Sequence, residues 1–528
     1  MKLVALCPRL AVLTVIAIGL SVSLVFPHSP GHYTQNPDLA TGTIIQKVLC
    51  QADTQFSYAL YLPSTYRKDK KWPIVYCFDP SARGAAPLER FRVGAEQYGF
   101  ILAGSNDSKN GPGPIGTIIR ALLQDTQARF SIDPRQVYLT GLSGGARVAS
   151  AVALAMPSAI AGVIACSAGF LPSAEPPRPL PFPFFATAGT EDFNYPEMYN
   201  LAETLTASGS ANHLAVFDGP HSWPPPEVCT EALEWMQLQA MRSGRREKDP
   251  ALIHSIERKW VERANALDAG ARKYEAFRAY TELATALAGL DDVTAFKSEA
   301  AELGPSKEVK QALKEQKEMI EKQRARTREL INFSIALVGR PDIKGQDAQG
   351  DQTPASSSGQ MGGGQMASPA TRMGSTGMST DTQSSSQSDK SMALADLKRA
   401  VESLKKAEDG PAGSPSRLVA RRVLSGFMVG LYETAQGLTY NRSYARAVQV
   451  LSVGTAVRPE SQGLFLELAK AYAGLNQKDK ALDALKKAVS NGLSNASAIE
   501  DDPDFGSLKN DPEYQRIIDG MKKGGDRG

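Results

Sequence analysis

Between Tyr58 and Met241 the chain alternates short apolar runs with longer segments of helical texture: YALYLP, PIVYCF, GFILAG, QVYLTG, AGVIACSAG, FPFFATAG and HLAVFDG. Unbroken apolar runs of this length suit strands buried on both faces, and the intervening segments supply the crossovers that parallel strands require. The pattern predicts an α/β domain over residues 40–242, a mostly parallel sheet covered by helices. Near Arg242 the texture changes, because the apolar strands stop and Ala, Glu, Lys and Arg dominate through Arg340. Residues 250–340 are therefore expected to be all helix, including one long charged helix from Lys307 to Val338 that contains no proline.

Residues 344–391 hold runs such as SSSGQMGGGQM and TQSSSQSD with almost no aliphatic side chains to bury. They read as a disordered, flexible linker. Helical texture returns over 393–520 with an internal repeat: Ala447, Leu451 and Gly454 recur 34 residues on as Ala481, Leu485 and Ala488, and Pro459 closes the first unit. That period, with small residues where helices cross, implies stacked helix pairs. The segment resembles tetratricopeptide repeats, with Ala469, Tyr472, Ala481, Leu485 and Ala488 on the expected positions of the second unit. The first unit lacks an aromatic equivalent to Tyr472, and a pair around Tyr274-Glu275-Ala276 and Tyr280 reads as a diverged copy. The resemblance implies a protein or peptide partner on a concave face.

The N-terminus carries Lys2 and Arg9 and then an uncharged apolar run from Leu10 to Phe26, the pattern of an export signal. Ser21-Val22-Ser23 suits signal-peptide cleavage, while the length of the run approaches a short membrane span, so residues 1–26 are read as signal peptide or membrane anchor. The expected location is periplasmic or extracellular. Basic and acidic residues number 59 and 56 with signs interspersed, which leaves no electrostatic footprint for nucleic acid. Without Cys7 four cysteines remain, and three pairings are open. Cys77 and Cys166 lie inside apolar runs and read as buried thiols, so Cys50 with Cys229 is the expected disulfide in an oxidising compartment.

The strongest chemical signal is Gly141-Leu142-Ser143-Gly144-Gly145, set between the strand QVYLT and the helix ARVASAVALAM. A serine on a tight strand-to-helix turn flanked by small residues projects its hydroxyl from the sheet edge, where the helix N-terminus favours developing negative charge. A serine hydroxyl needs a base to take its proton. Of five histidines, His28 and His32 lie at the presumed mature N-terminus, His254 lies in the helical region and His213 begins a strand. His221, in Gly219-Pro220-His221-Ser222-Trp223, occupies the loop after the strand HLAVFDG and is the candidate base. The carboxylate should fall between them in chain order. Glu191 and Asp192 both qualify; Asp192 is preferred, with Glu191 expected to face solvent and Asp218 too close to His221 in sequence.

With Ile132-Asp133-Pro134-Arg135-Gln136-Val137-Tyr138-Leu139-Thr140 leading into the serine and Gly189-Thr190-Glu191-Asp192 before the histidine, residues 58–241 resemble the compact α/β-hydrolases of the dienelactone-hydrolase, polyhydroxybutyrate-depolymerase and feruloyl-esterase type. The resemblance implies a carboxylic-ester hydrolase working through an acyl-enzyme, with no metal or organic cofactor. The short separations leave no room for a large lid, implying an open site for small or polymer-linked esters. Relatives carry His-Gly at the oxyanion loop, where this chain reads Cys77-Phe78-Asp79-Pro80-Ser81-Ala82-Arg83-Gly84. Gly144 is expected to supply one oxyanion N–H. Pro80 has none, so the second comes from Asp79 or Ser81, with Asp79 preferred. Arg83 is read as a solvated arginine or as a clamp for an anionic substrate group. Two rival functions stay open: a serine peptidase of the prolyl-oligopeptidase type, and a weakly catalytic scaffold whose repeats bind the partner.

Overall fold

The computed structural model describes residues 39–111, 113–338 and 381–525. The expected signal or anchor at 1–26, and the expected linker as far as residue 380, lie outside them. Among the described residues no helix is long and apolar enough to cross a membrane.

Eight strands form one sheet: β1 (Ile44–Leu49), β2 (Ser57–Tyr61), β3 (Trp72–Phe78), β4 (Ile101–Ser105), β5 (Ile132–Leu142), β6 (Gly162–Cys166), β7 (Phe184–Gly189) and β8 (Asn212–Phe217). Their order is β1-β2-β4-β3-β5-β6-β7-β8. The pairings β1 with β2 and β2 with β4 are antiparallel, and all the others are parallel. Helices α1 (Ala85–Tyr98), α2 (Ile115–Arg129), α3 (Gly144–Ala155) and α4 (Tyr195–Ala207) lie on crossovers, and α5 (Pro226–Arg242) follows β8. This strand order with helices on both faces is the α/β-hydrolase fold. All seven apolar runs of the sequence are strands; β1, the polar edge strand, is the addition.

Side chains alternate across the sheet, so each strand feeds two cores. Val75 and Cys77 join Leu88 and Phe91 of α1 and Leu233 and Met236 of α5. Ile74, Tyr76 and Phe78 join Leu122 of α2 and Ala146 and Ala149 of α3. The separation of the two cores overturns the expected disulfide. Cys50 and Cys229 belong to different cores, and Cys50, Cys77, Cys166 and Cys229 are all free and buried. Burial pushes the Cys50 thiol up to about 12. These four thiols are therefore expected to resist N-ethylmaleimide in the native protein and to react once it is denatured. A native mass shift at any of them, or a Cys50–Cys229 peptide on non-reducing digestion, would contradict the structure.

Contacts divide the chain into two compact units that differ from the sequence-based boundaries. Of the described residues, the first comprises those up to 327 together with 404–437. Its all-α portion consists of α6 (Pro250–Ala269), α7 (Lys273–Ala286), α8 (Thr294–Leu303) and α9 (Lys307–Val338), whose last residues belong to the second unit. Ile253, Ile256 and Trp260 of α6, Leu283 of α7 and Phe296 of α8 complete the core beneath α5, so residues 250–303 extend the hydrolase core. Buried Glu234 ties the two portions together by accepting from Lys259 Nζ at 2.7 Å and Trp260 Nε1 at 2.8 Å.

Helix α10 (Asp381–Glu408) begins inside the expected linker. No glycine or proline interrupts it, and Leu397, Val401 and Leu404 at helical spacing are buried, which suits the preceding polar stretch to helix. Helix α11 (Pro415–Tyr440) lies mostly in the first unit. The second unit includes α12 (Tyr444–Val457), α13 (Gln462–Gly474), α14 (Lys478–Ser490), α15 (Ala496–Glu500) and α16 (Pro512–Gly525). Helix α13 packs against both α12 and α14. The recurring Ala447 and Leu451 of α12 and Ala481, Leu485 and Ala488 of α14 are fully buried there, which is the physical reason for the 34-residue period.

Candidate active site

Strand β5 ends at Leu142 and α3 starts at Gly144, which leaves Ser143 on the turn with φ 54° and ψ −119°. A non-glycine residue held there stores backbone strain of about 1–3 kcal/mol, so the surroundings must enforce it. They do so by close approach. A Cβ on Gly141 would stand 2.1 Å from the Gly145 carbonyl carbon, and one on Gly145 would stand 1.9 Å from the Phe78 carbonyl oxygen. Ser143 N–H donates to Cys166 O at 2.8 Å on the neighbouring strand.

The predicted acid and base follow β7 and β8, so all three candidates sit at carboxyl ends of parallel strands, where open α/β sheets bind ligands. His221 Nδ1 is 2.8 Å from Asp192 Oδ1, and that oxygen also accepts the Asn194 N–H at 2.8 Å. Asp192 is fully buried. Engagement of Nδ1 leaves Nε2 as the nitrogen available for proton transfer. The loops holding acid and base are pinned together: Glu191 N–H donates to Gly219 O at 2.8 Å, and a Cβ on Gly189 would meet that same oxygen at 2.3 Å. The Phe193 ring stacks on the His221 imidazole at 4.1 Å, and Gln323 Nε2 donates to Phe193 O at 2.8 Å. Sequence reasoning missed Phe193, which has no signal beyond its place beside the acid.

Glu191 does not face solvent as expected. Its carboxylate lies 2.6 Å from Arg421 Nη1 of α11. Asp218 accepts from Thr190 Oγ1 at 2.9 Å. His213, read as structural, is buried against Phe185 at 4.6 Å, with Nε2 3.2 Å from Glu231. His213, Glu231 and Glu282 could geometrically converge on a metal ion. Arg263, bonded to Glu231 and 3.8 Å from Glu282, already supplies the cation there.

At the oxyanion loop Asp79 is fully buried, and its carboxylate accepts from Ser81 N–H at 2.9 Å, Arg83 Nε at 3.0 Å, Arg83 Nη2 at 3.1 Å and Trp223 Nε1 at 2.8 Å. Burial opposes its charge, but the bonds from Arg83, Trp223 and Ser81 outweigh that and hold the carboxyl below its usual range. The Ser81 N–H is already used within the loop, and Arg83 is held by the Asp79 carboxylate.

No family model and no curated protein matches the chain. Among solved structures it is similar to an S-formylglutathione hydrolase from Staphylococcus aureus, at 13% identity and a TM-score of 0.28, covering 34% of this chain and 90% of that one. It is also similar to a ferulic acid esterase, at 17% identity and a TM-score of 0.30, covering 36% and 95%. A third is an S-formylglutathione hydrolase from Agrobacterium tumefaciens, at 15% identity and a TM-score of 0.29, covering 34% and 88%. Likenesses at these scores carry no argument about activity, and the α/β-hydrolase fold of the first unit rests on its own strand order.

Proposed function

We propose that the first unit is a serine hydrolase of carboxylic esters, exported by its N-terminal segment. Ser143 is the nucleophile, His221 the base and Asp192 the residue that orients the base. As Ser143 Oγ bonds to the ester carbonyl carbon, His221 Nε2 takes its proton. The N–H groups of Gly144 and Asp79 receive the oxyanion. Collapse breaks the carbon–oxygen bond to the alcohol, which leaves with the proton from the imidazolium. Water then gives a proton to His221 and attacks the acyl-enzyme, and the acid departs as Ser143 regains its hydrogen. In the same reading the helix hairpins of the second unit take a protein or extended peptide.

One observation carries the enzymatic part: a strained serine between strand and helix, on the same sheet edge as a buried carboxylate bonded to a histidine. A fluorophosphonate forms a stable adduct with an activated serine. Incubated with the full-length protein, it is expected to label one residue, Ser143, as located by peptide mass spectrometry. Absence of label on folded protein would defeat the hydrolase reading, and label on another serine would defeat the assignment of the nucleophile.

A further inference from the structure

The active site described above is built from the hydrolase loops, yet α11, far along the sequence, also reaches it. Arg421 bonds to Glu191, next to the acid. Arg422 is buried, donates from Nε to Thr190 O at 2.6 Å and lies over the Tyr195 ring at 3.9 Å. One turn on, Gly426 lies so close that a Cβ on it would stand 2.9 Å from Phe193 Cβ, and Phe193 is the ring stacked on His221. Two turns further, half-buried Glu433 accepts from Asn110 Nδ2 at 3.5 Å. Asn110 Oδ1 in turn stands 1.8 Å from where a Cβ on Gly144, the residue after the nucleophile, would be. The helix therefore runs from the acid loop past the histidine to the oxyanion side. The open site expected from the short loops has a wall from elsewhere in the chain.

The wall brings a charge. Burial pushes the Glu433 carboxyl up, while His221 and Arg147 pull it back down, so the carboxylate shares its surroundings with the base. Arg147 does not cancel it, because its guanidinium is held bidentately by Glu197, with both bonds at 2.9 Å. Resting on the hydrolase reading, we propose that α11 forms one wall of the active site and that Glu433 sets its charge selectivity, favouring neutral and cationic esters over esters carrying an anionic group. In a partly desolvated site like charges a few ångströms apart repel by enough to matter at the level of tenfold in rate or more.

The test uses full-length protein at about pH 8 and three p-nitrophenyl esters: the neutral butyrate, the anionic hemiglutarate and the cationic 4-trimethylammonio-butyrate. Wild type is expected to show the lowest kcat/KM on the hemiglutarate. Glu433→Gln should raise the anionic-to-neutral ratio of kcat/KM about tenfold and lower the cationic-to-neutral ratio, while Glu433→Asp keeps both near the wild-type values. Ratios are taken within each protein, so a loss of folded material does not alter them. Turnover of the neutral ester with ratios unchanged in Glu433→Gln would overturn the selectivity proposal alone. No turnover of any ester and no fluorophosphonate label would overturn the hydrolase reading and this proposal with it.

Discussion

Ester turnover and fluorophosphonate labelling are both expected to vanish in Ser143→Ala, because no acyl-enzyme can form without the hydroxyl. His221→Ala should be about as damaging, since nucleophile and base act as a unit and losses within such a unit do not add; the expected drop in kcat is on the order of 10⁶-fold. Asp192→Asn leaves nucleophile and base in place but removes the acceptor that orients the imidazole, a loss on the order of 10⁴-fold. Glu191→Gln acts elsewhere, by weakening the bond to Arg421, and should cost far less. Steady-state kinetics on the four proteins check the assignment. An active Asp192→Asn beside a dead Glu191→Gln would reverse the acid.

The largest effect on stability is expected at Asp79. Asp79→Ala leaves the buried Trp223 Nε1 and the Ser81 N–H without their acceptor, at about 1–3 kcal/mol each. The pair with Arg83 adds little, because that side chain is 61% exposed. Thermal melts should therefore drop by several degrees in Asp79→Ala and by less in Asp79→Asn, which keeps an acceptor oxygen. The pH dependence has a fixed sign. The native carboxyl is depressed, so its stabilisation is present above the unfolded value near 3.9 and is lost as pH falls below it. Wild type should lose melting temperature on acidification below about pH 4 more steeply than Asp79→Asn. Parallel curves for the two would mean that the charge of Asp79 contributes nothing.

What was legible in the sequence follows from the range of the interactions responsible. Strands β2–β8 announce themselves because their residues are mostly buried on both faces of the sheet and read as unbroken apolar runs. Strand β1 does not: it is a half-exposed edge whose register shifts between Ile45 and Val48. Ser143, Asp192 and His221 could be placed at the sheet edge from sequence because each follows a strand, so each position is set locally. The disulfide expectation failed because it was reached by elimination among four cysteines, while the fold places Cys50 and Cys229 in different cores. The partner of Glu191 lies 230 residues away on a helix with no local mark of its role, and nothing near either residue announces the contact. Sequence boundaries at 242 and 393 follow changes of texture, whereas packing follows apolar faces, which run across both.

Because residues 404–437 belong with the hydrolase sheet while residues 328–338 and 381–403 do not, α11 is in effect a tethered ligand of the first unit. Its occupancy is governed by an effective concentration and not by how much protein is present. A break in the chain between α9 and α10 would abolish that advantage. Association would become bimolecular, and at the micromolar dilutions of an assay a helix that binds with only millimolar affinity would leave. Nicked and intact enzyme, with the same residues present, would then differ in their rates on charged esters, and the difference would shrink as the nicked protein is concentrated.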